Sequence, residues 1–220
     1  MIQDKTNSPI FITGCERSGS SIIARVISHC GAFTGRTTEM MENDQLRKLM
    51  VTYYDLIGAD VKGQNPLPNT EKLIIPTNWK EKVFACLNLE MIKREEDQFW
   101  MFKNSRLCQT WPVWHYAFPN AKWIIVRRRT GDIIDSCLKT GYMTAYKDKA
   151  GWLGWVHEHE KLFVEMIEIG LNCKVIWPER MATGDYQQMK ETIDWLGLTW
   201  NDDVLDIIKP LMWNSRQRTK

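Results

Sequence analysis

The first residues able to do chemistry are Gly14-Cys15-Glu16-Arg17-Ser18-Gly19-Ser20-Ser21. They combine two glycines, one guanidinium and three hydroxyls. The apolar run Pro9-Ile10-Phe11-Ile12-Thr13 precedes them and Ile22-Ile23-Ala24-Arg25-Val26-Ile27 follows. A strand, a glycine loop and a helix start in that order make a cradle for phosphate or sulfate. Free amides at the helix start point at the anion, and the helix dipole favours its charge. Gly14 and Gly19 let the anion approach the main chain. Their spacing, Gly14-x-x-x-x-Gly19, is that of a nucleotide-binding P-loop. Ser20, however, stands where a P-loop ATPase requires lysine. The basic residue is Arg17, inside the loop. The stretch therefore predicts anion binding and argues against an ordinary ATPase.

A second set begins at Lys122-Trp123-Ile124-Ile125-Val126, which runs into Arg127-Arg128-Arg129-Thr130-Gly131-Asp132-Ile133-Ile134-Asp135-Ser136. A guanidinium fork after a strand, with a serine two turns into the next helix, suits a phosphate monoester. Arg127 and Arg129 should face away from Arg128, because side chains alternate at a strand end. Three other signals read as structural. His157-Glu158-His159-Glu160 reads as a solvated helix face, since residues two apart on a helix do not share a side. His115 reads as a packed or surface histidine. Cys15 reads as a small loop residue rather than a reactive thiol.

These loops need strands and helices to hold them. Residues 9–14, 98–102, 122–126 and 174–177 read as strands. Helices are expected over 18–30, 42–56, 79–93, 107–118, 130–140, 150–169, 186–196 and 202–208, with 59–78 irregular. Strands alternating with helices predict one α/β domain over residues 1–220. Its central, mainly parallel sheet is flanked by helices in a P-loop-like nucleotide-binding fold. Ligands of such sheets bind at the carboxyl ends of the strands, where the loops of Arg17 and Arg128 both fall.

Composition narrows the classes. The chain has 220 residues, enough for one sizeable core, and a net charge of +2, so no overall charge draws it to nucleic acid. Its apolar runs are too short to span a bilayer. Met1-Ile2-Gln3-Asp4-Lys5 is polar and lacks a signal-peptide core, which points to the cytoplasm. Six cysteines are scattered without Cys-x-x-Cys, so neither a zinc site nor a redox pair is expected. Eleven tryptophans serve the core and an aromatic pocket.

Together the two loops resemble those of the sulfotransferases that use 3′-phosphoadenosine 5′-phosphosulfate (PAPS). Cys15-Glu16-Arg17-Ser18-Gly19-Ser20-Ser21 is similar to their 5′-phosphosulfate loop. Arg128-x-x-x-Asp132-x-x-x-Ser136 is similar to their 3′-phosphate motif. A weaker match is Ile176-Trp177-Pro178-Glu179-Arg180-Met181 with Ile193-Asp194-Trp195-Leu196-Gly197-Leu198. The likeness extends from about residue 9 to about 200. It implies transfer of a sulfuryl group to a hydroxyl or amine of a small-molecule or glycan acceptor, with PAPS as co-substrate and without a metal. The amides of Ser18, Gly19, Ser20 and Ser21 would hold the phosphosulfate, Arg17 would neutralise the leaving oxygen, and Arg128 with Ser136 would grip the 3′-phosphate. Arg216 or Arg218 could add to that grip.

The chain departs from the family in two places. Lys103-Asn104-Ser105-Arg106 stands where many members carry Lys-Thr-His, so the usual histidine base is absent. Glu39 takes that role by resemblance to members with a glutamate after the first helix, and Glu42 is second. Lys103, at a strand end, could contact the sulfate or stand on the surface. Ile22 replaces a tryptophan that often stacks on adenine. Segments 35–95 and 141–160 are expected to form the acceptor pocket. The competing readings are a P-loop nucleotide kinase or NTPase, and a non-catalytic nucleotide-binding module.

Overall fold

Apolar sequence on both faces of a strand requires cover on both sides, and the first strand meets that condition. The computed structural model describes residues 5–91, 93–95 and 98–208. Its sheet consists of β1 (Ile10–Gly14), β2 (Met101–Lys103), β3 (Lys122–Val126) and β4 (Cys173–Ile176), in the order β2-β1-β3-β4. All three pairings are parallel. Every residue of β1 is buried.

Alternating residues send the chain's bulk to two cores. Phe11 joins Phe102, Trp114 and Trp123 on one face, with ring centroids 5.2 Å from Trp114 and 4.8 Å from Trp123. Ile10, Ile12, Ile124 and Val126 face the other core. That second core is closed by α1 (Ser20–His29), through Ile23, Ala24 and Ile27, and by α8 (Gln187–Leu196), through Met189 and Ile193. The first is closed by α2 (Asp44–Leu56), α3 (Trp79–Met91), α4 (Trp111–Ala117), α5 (Thr130–Leu138) and α6 (Lys149–Glu168). Trp79, Trp100, Trp114, Trp123, Trp152 and Trp155 are all fully packed, so much of the tryptophan content is core.

Register brings the functional loops together. Gly14 lies opposite Val126, and Ile12 opposite Lys103. The chain therefore leaves β1, β2 and β3 at the same edge of the sheet. Gly14 also lets the strands approach: a Cβ there would sit 2.3 Å from the Val126 carbonyl oxygen.

The structure redraws three predicted elements. The single helix predicted over 107–118 is a 3₁₀ turn at Ser105–Gln109 followed by α4. Pro112 lacks an N–H and fits only the first turn of a helix, so α4 starts beside it. The second strand is Met101–Lys103 rather than 98–102. Pro178 starts a short helix, α7 (Pro178–Ala182), where only a strand end was expected. Residues 204–208 are helical.

Candidate active site

The loop after β1 turns into α1 through two residues of positive φ. Gly19 caps α1 with φ +92°, a left-handed conformation that favours glycine. Arg17 also has positive φ, at 70°. The Ser18 amide donates to the Cys15 carbonyl at 3.1 Å, which closes the turn. Ser18 is buried, and among the described residues its hydroxyl meets no hydrogen-bond partner. A hydroxyl left unsatisfied inside a cradle of helix-start amides fits an anion as its missing partner. Cys15 is buried, and burial raises its thiol pKa well above the usual range. It is a packed residue, as expected, and not a nucleophile.

The second set meets this loop directly. Arg17 Nε donates to Ser136 Oγ at 2.9 Å. Arg128 Nη1 donates to the Arg17 carbonyl at 3.1 Å. The three neighbouring arginines face different ways, as strand-end alternation predicts. Arg127 pairs with Glu160 and lies over the Trp177 ring. Arg129 is 75 % exposed and meets Asp132 and Glu179. Arg128 turns to the loop.

The remaining wall comes from the segment before α2 and from the end of β2. The turn at 38–42 crosses the start of α1. Ser21 Oγ donates to the Met40 carbonyl at 3.0 Å, and Arg25 Nη2 donates to the Glu39 carbonyl at 2.7 Å. The Glu39 side chain is exposed. Glu42 lies just before Asn43, whose side chain caps α2 by accepting from Gln45 and Leu46. Its carboxylate reaches Lys103, with Nζ to Oε1 at 3.1 Å. Lys103 is buried, so it is not the surface lysine that its sequence context also allowed.

A profile described as Sulfotransferase family matches residues 9–202. The chain belongs to that family. The fold agrees with two solved sulfotransferases. STF1 of Mycobacterium tuberculosis superposes with a TM-score of 0.54 at 13% identity, over 92% of this chain and 70% of that one. STF9 of Mycobacterium avium gives 0.56 at 12% identity, over 97% and 69%. No curated protein sequence matches the chain.

In this sulfotransferase the 3₁₀ turn after β2 carries residues that sequence reasoning passed over. Ser105 Oγ donates to Glu16 Oε1 at 3.2 Å. Burial raises the Glu16 pKa above the usual carboxylate range, and nearby Tyr142, Ser105 and Arg106 work against that rise. The one available signal was a carboxylate inside an anion cradle, which is an uncomfortable neighbour for a sulfate. Gln64 is also buried. It donates to the Tyr142 carbonyl at 3.1 Å and accepts from the Thr144 and Ala145 amides. That side chain ties together two segments expected to form the acceptor pocket.

The solvated-face reading of the 157–160 run is corrected at His159. The ring is fully buried. Its Nδ1 donates to the Trp155 carbonyl and its Nε2 accepts from Gln109 Nε2, both at 2.9 Å. Ile22 is half-buried against the second core. Arg216 and Arg218 lie outside the described residues. Among the described residues, no group of His, Cys, Asp or Glu could hold a metal ion, and no helix is long and apolar enough to cross a membrane.

Proposed function

We propose that this sulfotransferase transfers the sulfuryl group of PAPS to a hydroxyl or amine of a small-molecule or glycan acceptor. The observation that carries the reading is the contact of Arg17 with Ser136, together with the bond from Arg128 to the Arg17 carbonyl. It makes the two anion-binding loops one surface, as a ligand with a 5′-phosphosulfate and a 3′-phosphate requires.

The roles follow from charge and position. The amides of Gly19, Ser20 and Ser21, with the hydroxyl of Ser18, hold the 5′-phosphosulfate; the Ser18 amide closes the turn instead. Arg128 and Ser136 take the 3′-phosphate and so separate PAPS from ATP. Arg17 neutralises charge on the bridging oxygen as the bisphosphate leaves. In a loose transition state, catalysis is positioning and charge stabilisation, and one preorganised donor is worth roughly 3–4 kcal/mol. Lys103, held by Glu42, contacts the sulfuryl oxygens. Glu39, on the turn across α1, is the base that family resemblance suggests. A nucleotide kinase would instead need a lysine at position 20, where the chain has buried Ser20.

Titration calorimetry with adenosine 3′,5′-bisphosphate, against ATP with magnesium, tests the donor assignment. Tight bisphosphate binding is expected. Tight ATP binding without bisphosphate binding would overturn it. Transfer of labelled sulfate from PAPS to a panel of phenols, sugars and amines tests the reaction. A protein that binds bisphosphate but transfers to nothing would be a binding module.

A further inference from the structure

Glu16 has no part in the roles above, yet it adjoins Arg17 in the loop. Ser105 Oγ fixes its Oε1 at 3.2 Å. Its Oε2 is buried and, among the described residues, meets no hydrogen-bond donor. Three segments distant in sequence face this carboxyl. Ser105 and Arg106 come from the 3₁₀ turn after β2, Tyr142 from the segment between α5 and α6, and Glu42 from the segment before α2. Tyr142 is 45 % exposed and Glu16 is half-buried, so this cluster stands near the surface. The Tyr142 hydroxyl is a hydrogen-bonding neighbour of the carboxyl, while among the described residues no donor lies within bonding distance of Oε2 itself.

A buried acceptor without a donor costs about 1–3 kcal/mol. Native proteins pair nearly all such atoms, and an exception calls for a use. An ionised carboxylate only accepts. The partner missing at Oε2 is therefore an O–H or N–H, the group that a sulfuryl acceptor presents. The Glu16 neighbours Ser105 and Glu42 flank and hold Lys103, the residue assigned to the sulfuryl oxygens, so a donor bonded to Oε2 would share that wall of the site.

We infer that Glu16 Oε2, in place of Glu39, takes the proton of the acceptor, an assignment that rests on the proposed sulfotransferase reaction. The acceptor oxygen or nitrogen forms the new bond to sulfur while its proton passes to Oε2. The bond from sulfur to the bridging phosphate oxygen breaks, and its electron pair leaves on adenosine 3′,5′-bisphosphate. Ser105 is a positioning residue: by holding Oε1 it directs the free lone pair of Oε2 to the acceptor. Burial, more than Glu42, raises the proton affinity of Glu16 above the usual carboxylate range, and Tyr142, Ser105 and Arg106 oppose the rise; a raised affinity favours taking a proton.

The test uses the full chain with PAPS as the probe and water as acceptor, following release of adenosine 3′,5′-bisphosphate. Glu16→Gln should slow release at least ~100-fold, flatten the acid limb of the pH–rate profile and leave bisphosphate affinity within about twofold. Ser105→Ala should slow release less and shift that limb. Should Glu16→Gln fail to fold, Glu16→Asp provides the check, with a slower rate and a retained acid limb. A Glu16→Gln protein at wild-type rate, or one that loses bisphosphate binding together with activity, overturns the assignment. So does loss of the acid limb in Glu39→Gln while Glu16→Gln keeps it. Wild-type protein that binds no bisphosphate overturns the sulfotransferase reading beneath it, which separates the two failures.

Discussion

Arg17 Nε lies 2.9 Å from Ser136 Oγ across 119 residues of sequence, so one hydrogen bond joins the loop after β1 to the helix after β3. Arg128 closes the same junction through the Arg17 carbonyl. Loss of a hydrogen bond to a charged group costs about 1.5–3 kcal/mol. Arg128→Ala should therefore weaken adenosine 3′,5′-bisphosphate binding roughly 10- to 100-fold. It should barely change the affinity for adenosine 5′-phosphosulfate, which lacks the 3′-phosphate. Calorimetry with both ligands reads the difference, and equal losses would remove Arg128 from the 3′-phosphate site.

Gly14 marks where the loop leaves the sheet. A Cβ there would lie 2.3 Å from the Val126 carbonyl oxygen and 2.8 Å from Ser18 Oγ. The first contact is backbone at the end of β3, where Val126 is paired with both β1 and β4, so it cannot move cheaply. Gly14→Ala should destabilise the protein by at least ~2 kcal/mol, as overpacking and backbone strain do together. It should also displace Ser18 and weaken anion binding. Urea unfolding monitored by tryptophan fluorescence gives the first number and bisphosphate titration the second.

The strands were legible because burial on both faces leaves an unbroken apolar run, as in Trp123-Ile124-Ile125-Val126. The two loops at the strand ends were legible as loops because a glycine turn after a strand needs few residues to announce itself. What was hidden depends on partners far away in the chain. Glu16 and Ser105 are 89 residues apart, and neither residue type signals the other. His159 sits among glutamates and looks solvated, but Gln109, 50 residues earlier, takes it into the core. Lys103 could be a surface or a site lysine until the fold brought Glu42 to it. The helix at Pro178 was hidden because Ile176-Trp177 reads as strand until a proline, whose φ already suits a helix start, turns the chain.

His159 makes stability pH-dependent. Burial depresses its pKa from 6.5 to about 4, and the bond to the Trp155 carbonyl only partly offsets this. Above pH 6.5 the ring is neutral in both folded and unfolded chains and contributes no pH dependence. As pH falls from 6.5 towards 4, the unfolded chain takes up a proton that the folded one refuses. The loss reaches about 3 kcal/mol at the lower end of that window. His159→Gln should be less stable at pH 7.5, since its side chain does not reproduce both ring bonds. It should lose much less between pH 6.5 and 4 than the wild type. Urea midpoints of the two proteins at half-unit pH steps isolate the histidine from the carboxylates, and parallel curves would show that His159 does not titrate in this window.

Lys103 and Glu42 form a largely buried ion pair at 3.1 Å, so each holds the other's charge out of water. Removing one partner strands the other. Glu42→Gln leaves an ammonium with one neutral contact, and the expected cost is about 2–4 kcal/mol, toward the low end for breaking a buried pair. Lys103→Met with Glu42→Gln removes both charges and should recover at least half of that loss, because the double variant leaves no uncompensated charge. Transfer should respond differently. The double variant lacks the ammonium assigned to the sulfuryl oxygens, so recovery of stability brings no recovery of rate. A double-mutant cycle read by both urea unfolding and PAPS turnover separates these outcomes. If rate recovers along with stability, Lys103 only holds the wall together and makes no contact with the transferred group.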